Sequence, residues 1–319
     1  MKKRRQLLAS GFVISALGAL GVICNSFAAS QSGGKFVDLE SFPSQFVSPR
    51  KVRVWLPPDY DPKQSYAALY MHDGQNLFEP AASYAHGAWD VDKHLIALRQ
   101  ANEIRPTIVV AIWNGQSFRS REYGPQEPIE TLPAELQARI PRPSADGGTS
   151  PQSNAYLKFI AEELVPYVDQ HFSTVAKPSH RYLMGSSMGG LISLYALAKY
   201  PQLFGGAGCL SIHWIIATNP QLTTPPDLAT LAITAKAYRT WLTQHLPAAG
   251  QHKIYFDHGD QGLDALYGEH QGPVDQLMRE KRYQQGRDWV THYFPGTDHN
   301  EKAWRTRLAE PLRFLLKPD

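Results

Sequence analysis

Cysteine is nearly absent. Of the two in the chain, Cys24 lies in an apolar N-terminal run and Cys209 stands alone in everything that follows, so no internal disulfide can staple the fold. Cys209, in the apolar stretch Gly208-Cys209-Leu210, reads as a small buried residue rather than a reactive thiol. Concentrated positive charge is missing as well once Lys2, Lys3, Arg4 and Arg5 are set aside. Removing the N-terminal leader takes away those four charges and no acid, which moves the formal net charge from +3 to −1. Nothing in the remainder gathers Lys and Arg into a patch, so neither a nucleic acid nor an anionic membrane surface is an expected partner. Repeats and breaks in composition are lacking too, and with 43% hydrophobic residues the chain can fill one large core. Residues 29–319 are therefore expected to form a single domain. The cluster Asp257, His258, Asp260, Asp264 with His270 matches no calcium-loop or zinc spacing, so no metal and no cofactor are expected.

The N-terminus is richer. Four positive charges precede an uncharged apolar run over 7–24, then Ser26-Phe27-Ala28 offers a small-x-small cleavage pattern. Residues 1–28 read as an export signal peptide removed after about Ala28, which implies a periplasmic or secreted protein with no membrane contact after cleavage. An uncleaved anchor is the alternative, but the glycines of the run and the cleavage pattern favour removal. Arg4-Arg5 followed by Gln6-Leu7-Leu8 loosely resembles a twin-arginine signal, so export of a folded chain is open. Ile23 is not the small residue usual before a lipid-bearing cysteine.

Beyond the leader, Val52-Arg53-Val54-Trp55-Leu56 alternates and stops at Pro57-Pro58, while Ala67-Ala68-Leu69-Tyr70-Met71 runs apolar into His72-Asp73-Gly74. Both predict strands, the second buried. The β-branched run over 107–112 predicts an interior parallel strand. Leu157, Ile160, Leu164 and Val168 predict a helix over 155–172 interrupted at Pro166. Further strands are expected at 206–210, 253–256 and 289–294, and an amphipathic helix at 300–316. Strands alternating with helices imply an α/β fold, a mainly parallel sheet covered on both faces, with ligands beyond the carboxyl ends of its strands. The Pro- and Gly-rich residues 114–154 and the stretch 215–246 are expected to be loops or lid elements there.

Gly185-Ser186-Ser187-Met188-Gly189 follows a strand pattern (Arg181-Tyr182-Leu183-Met184) and opens a helical one at 191–200. That is the setting of a nucleophile elbow, in which glycines two before and two after the serine let the backbone turn sharply. At average Gly usage such a motif arises by chance about 0.1 times in a chain this long. Ser187 is the candidate nucleophile; a glycine-rich turn without chemistry is the alternative. A serine needs a base and a carboxylate to orient it, and on α/β-hydrolase sheets these follow in the order Ser, Asp or Glu, His. Late histidines are His270, His292 inside a strand pattern, and His299 in the loop Gly296-Thr297-Asp298-His299-Asn300, which is the best placed. For the acid, Asp264 is preferred, with Asp260 next and Asp257, which can simply end its strand, last. The oxyanion of acyl transfer needs preorganised donors: the backbone N–H of Met188, and that of Gln75 in the loop His72-Asp73-Gly74-Gln75-Asn76. A plain Asp-Gly turn competes with the second assignment.

Several segments together resemble a known family: LPPDY (56–60), MHDGQNLF (71–78), FIAEELVPYVD (159–169), GSSMGGLISLY (185–195), YPQLFGGAGCLS (200–211) and TDHNEKAW (297–304). They are similar to the esterases related to esterase D, a family that includes feruloyl, acetylxylan and enterochelin-type esterases and mycolyltransferases. The resemblance covers almost all of the chain beyond the leader. It implies an α/β-hydrolase fold and a triad of Ser187, Asp264 and His299, the acid in these relatives often being the last Asp of a G-x-x-x-x-D-like turn. The implied activity is serine carboxylic-ester hydrolysis of a carbohydrate ester or a small exogenous ester. An acyltransferase would use the same residues. A protein of this shape that only binds glycans through Trp89, Trp113, Tyr123 and Trp214 is the reading from a different class.

Overall fold

The computed structural model describes residues 26–29, 33–83, 87–140, 148, 150–215 and 228–318. Its strands are β1 (Ser26–Ala29), β2 (Lys35–Phe42), β3 (Arg50–Leu56), β4 (Ala67–His72), β5 (Thr107–Ile112), β6 (Arg181–Ser186), β7 (Gly206–Leu210), β8 (Lys253–His258) and β9 (Trp289–Tyr293). They join in one sheet in the order β1-β2-β3-β5-β4-β6-β7-β8-β9. β1 to β3 pair antiparallel and β3 pairs antiparallel with β5; from β5 across to β9 every pairing is parallel.

The pleat divides the core in two. Ala68, Tyr70, Ile108 and Val110 pack on one face with Tyr156, Val168, Leu191 and Tyr238. Ala67, Leu69, Met71 and Val109 pack on the other with Leu95, Leu98, Leu312 and Leu315. Every residue of β4, β5 and β6 is buried, which is why those strands read as continuous apolar runs and not as alternating ones. Burying each aliphatic side chain of these layers contributes about 1.5–3 kcal/mol.

Some expectations need correction. The helix around Pro166 is not interrupted: Ser153–Lys158 continues as π-helix over Phe159–Leu164 and as α-helix over Val165–His171. The wider π-helical turns just before Pro166 accommodate a residue that has no N–H to donate and whose ring crowds the preceding turn. The closing helix is two, Glu301–Arg307 and Ala309–Leu316, because Pro311 cannot donate to the carbonyl of Arg307. Residues 114–140 are not simple loop but short helices, Gln116–Phe118, Arg119–Tyr123, Gln126–Glu130 and Ala134–Arg139, punctuated by Pro125 and Pro133. The second irregular stretch holds the helix Leu228–His245, while 216–227 lie outside the described residues.

Residues 1–25 of the expected leader also lie outside the described residues. Ser26–Ala29 pair along β2 from Asp38 to Lys35. The expected cleavage after about Ala28 would remove most of β1.

Candidate active site

The parallel strands end on one side of the sheet, and the loops after β4, β6, β7, β8 and β9 meet there. Ser187, between β6 and the helix Met188–Lys199, has φ 56° and ψ −123°, a strained conformation for a residue with a Cβ. Neighbours enforce it. Its N–H donates to the Leu210 carbonyl at 2.9 Å, and its own carbonyl accepts from Leu191 N–H at 3.1 Å and His213 N–H at 3.2 Å. Gly185 must be glycine, since a Cβ there would stand 2.7 Å from the backbone of Gly189. The strain thus rests on two glycines and three backbone hydrogen-bond partners, and it leaves the serine only 8% exposed.

Asp264 lies in the turn Gly262–Leu266 after β8 and is fully buried. Its Oδ1 accepts from His299 Nδ1 at 2.6 Å. Oδ2 accepts from the Ser211 hydroxyl at 2.6 Å and from Gly259 N–H at 2.7 Å, with Arg307 3.8 Å away. Burial by itself would raise the Asp264 pKa, but His299, Ser211 and Gly259 outweigh it and hold the carboxyl below its usual value. The group therefore stays ionised and orients the imidazole. His299 itself sits two residues before the helix Glu301–Arg307, and Asn300 caps that helix through Ala303 N–H at 3.0 Å. Its ring stands edge-on to Trp304 at 5.0 Å.

The other carboxylates do different work. Asp260 is at the surface, accepting from Tyr293 OH at 2.6 Å and Gly296 N–H at 2.8 Å. Asp257 is buried and accepts from Ser211 N–H and Arg307, both at 2.9 Å, and from Tyr255 OH at 3.0 Å. Burial pushes its pKa up, with Arg307 opposing. Of the other late histidines, His292 stacks on Tyr255 within β9 and His270 lies in the helix Gly268–Glu280. Among the described residues, no three of His, Cys, Asp and Glu are grouped to hold a metal ion.

Gln75 lies in the short helix Gly74–Asn76 after β4. Asp73, at φ 56°, anchors it by accepting from Arg119 twice at 2.7 Å and from Asn114 at 2.6 Å. Burial would raise the Asp73 pKa, yet these partners hold it low. A Cβ on Gly189 would meet Asp73 Oδ2 at 3.3 Å, so this loop lies directly against the elbow helix that Met188 opens. Met188 N–H, at the first helical position, has no acceptor within its own helix. The loop and the helix start thus present backbone donors beside Ser187.

Several neighbours had no sequence signal. Ser211, at φ 41° just after β7, and Arg307 and Trp304 from the closing helices meet at one hydroxyl: Arg307 and Trp304 Nε1 donate to Ser211 Oγ at 2.6 and 2.9 Å. Tyr267 and His213 flank Ser187, both fully buried. Of the aromatics considered as a glycan platform, Trp89, Tyr123 and Trp214 are core, at most 2% exposed, and Trp113 is half-buried.

Comparison with known proteins bears on the fold and the family. Uncharacterized protein YbbA of Bacillus subtilis is 27% identical over 163 residues, 51% of this chain and 56% of that protein. The siderophore enterobactin esterase of Emericella nidulans is 29% identical over 161 residues, 47% of this chain and 48% of that protein. The chain spans about half the length of the curated relatives it matches. A solved ferulic acid esterase superposes with a TM-score of 0.60 at 18% identity, over 89% of this chain and 98% of its own. The fold is the α/β-hydrolase fold. The profile described as "Putative esterase" matches residues 44–315, the greater part of the sequence. The chain belongs to this esterase family.

Proposed function

We propose that the protein is a serine carboxylic-ester hydrolase working through an acyl-enzyme, with Ser187 as nucleophile, His299 as base and Asp264 as orienting acid. The observation that carries this is the 2.6 Å hydrogen bond from His299 Nδ1 to ionised Asp264, at the same end of the sheet as the strained elbow. That bond keeps the proton on Nδ1 and leaves Nε2 to take the Ser187 proton. Ser187 Oγ attacks the ester carbonyl; the oxyanion is met by the N–H groups of Met188 and Gln75. His299 passes the proton to the departing alcohol, and water then repeats the sequence to release the acid. No step needs a metal or a cofactor.

Carbohydrate esters and small exogenous esters are the proposed substrates, in keeping with the ferulic acid and enterobactin esterases among its relatives and structural neighbours. Export through the N-terminal leader belongs to the same proposal. A panel of p-nitrophenyl acyl esters, methyl ferulate and acetylated xylan, run with and without an acceptor sugar, tests it. Hydrolysis that Ser187→Ala abolishes is the expected result. Acyl sugar formed in place of free acid would make the protein an acyltransferase, and turnover unchanged in Ser187→Ala would remove the reading.

A further inference from the structure

Beside the nucleophile, on a residue outside the triad, lies a second hydrogen-bonding chain. Tyr267 follows the turn that carries Asp264 and is tied to it by its N–H, which donates to the Asp264 carbonyl at 3.0 Å. The side chain is wholly buried. Its hydroxyl stands beside the Ser187 side chain and lies 2.8 Å from His213 Nδ1. Its ring stands edge-on to His299 at 5.5 Å and to His213 at 6.0 Å. His213 in turn donates its N–H to the Ser187 carbonyl at 3.2 Å, so it is fixed to the elbow by its backbone and to Tyr267 by its ring. Tyr267 OH is thus held beside Ser187 by His213, whose ring bonds the phenol and whose N–H bonds the Ser187 carbonyl.

We propose that Tyr267 is a further catalytic residue, donating a hydrogen bond to Ser187 Oγ whenever that oxygen carries developing charge, with His213 positioning it. This rests on Ser187 being the nucleophile. In the resting site the serine proton can lie toward Tyr267. When Oγ attacks, that proton goes to His299, and Ser187 has nothing left to donate. The Tyr267 proton then turns toward Oγ, and the Tyr267 oxygen accepts from His213, provided the His213 proton is on Nδ1. In deacylation the bond from carbonyl carbon to Oγ breaks, and the same donor meets the charge on the leaving oxygen. No bond to Tyr267 forms or breaks, and its proton stays on it throughout. Burial, with the charge of Asp264 adding to it, keeps the phenol pKa far above its ordinary value, so the group remains a donor.

The test compares full-length wild type with Ser187→Ala, Tyr267→Phe, His213→Leu and His213→Asn, using a p-nitrophenyl ester, a fluorophosphonate label for the nucleophile, and thermal unfolding. Tyr267→Phe keeps the ring against His299 and removes the donor. It is expected to lower kcat and the labelling rate about 10- to 100-fold with KM within about twofold, in line with one lost transition-state donor. His213→Leu should fall similarly and add nothing to Tyr267→Phe. His213→Asn, whose amide N–H can stand where Nδ1–H stood, should recover most of the rate. A Tyr267→Phe enzyme within about twofold of wild type, with Ser187→Ala dead, overturns the proposal and leaves the triad intact. Active Ser187→Ala overturns the reading beneath it. Should Tyr267→Phe fold poorly, the two His213 variants decide alone: equal rates in Asn and Leu refute the chain.

Discussion

Arg307→Met removes the one buried cation described beside Asp264, the proposed triad acid. The guanidinium is 4% exposed, donates to Asp257 and Ser211 at 2.9 and 2.6 Å and to Thr297 Oγ1 at 2.9 Å, and stands 3.8 Å from Asp264. Methionine fills a similar volume without charge, and leaves two fully buried carboxylates facing each other across Ser211. Breaking a buried pair on one side costs about 3–5 kcal/mol, because the remaining charge is unscreened. For a chain of this size that lowers Tm by about 10 °C. The sign of the pH response follows. Burial has already raised the Asp257 pKa against the pull of Arg307. Without Arg307 it rises further, so the folded state takes up a proton that the unfolded chain does not. The variant should therefore gain stability relative to wild type as pH falls from about 8 to 5, the reverse of ordinary acid loss. Urea unfolding across that range reads it. Adding Asp257→Asn should restore more than half of the lost stability. A loss below about 1 kcal/mol, or a double variant less stable than Arg307→Met alone, would refute the electrostatic account.

Other outcomes follow from the same geometry. Ser187→Ala should lower turnover by about 10⁴ to 10⁶ with the fold intact, while Ser186→Ala keeps most of it, read by ester hydrolysis and circular dichroism. Asp264→Asn should lower kcat by about 10² to 10⁴ with little change in KM, whereas Asp260→Asn, which alters only surface contacts to Tyr293 and Gly296, should stay near wild type. His72 is buried, bonds Tyr156 OH at 2.8 Å through Nδ1, and its pKa is lowered to about 4, burial being the main cause. The unfolded chain therefore takes up this proton first. Its contribution is whole above about pH 6.5 and is lost toward pH 4, at about 1.4 kcal/mol per pH unit; His72→Asn should flatten that slope in denaturant titrations.

What was legible in the sequence is what local rules govern. β4, β5, β6 and β7 declared themselves because buried parallel strands are apolar throughout, and the elbow because its glycines answer to one backbone turn. β2 was not found: its KFVDLESF mixes charge into an edge ribbon where Asp38 pairs with Arg53, a contact no periodicity announces. The helix Gly268–Glu280 opens on glycine, histidine and an internal proline, which weaken a helical pattern that tertiary packing of Val274, Leu277 and Met278 then restores.

The same distinction explains why the acid was open among three aspartates. Asp257, Asp260 and Asp264 lie within eight residues, and each has the side chain the chemistry needs. Their separation comes from partners far along the chain. Arg307 and Ser211 claim Asp257, Tyr293 and Gly296 claim Asp260, and His299 reaches Asp264. Ser211 then bonds Asp264 from 53 positions away and Arg307 bonds Ser211 from 96, so the shell that keeps the acid ionised exists only once β7, β8 and the closing helix are packed together. A carboxylate's role here is set by which strand end its turn faces, and a motif reads the turn without reading what it faces. The spacing of aspartates in one chain does not encode that packing.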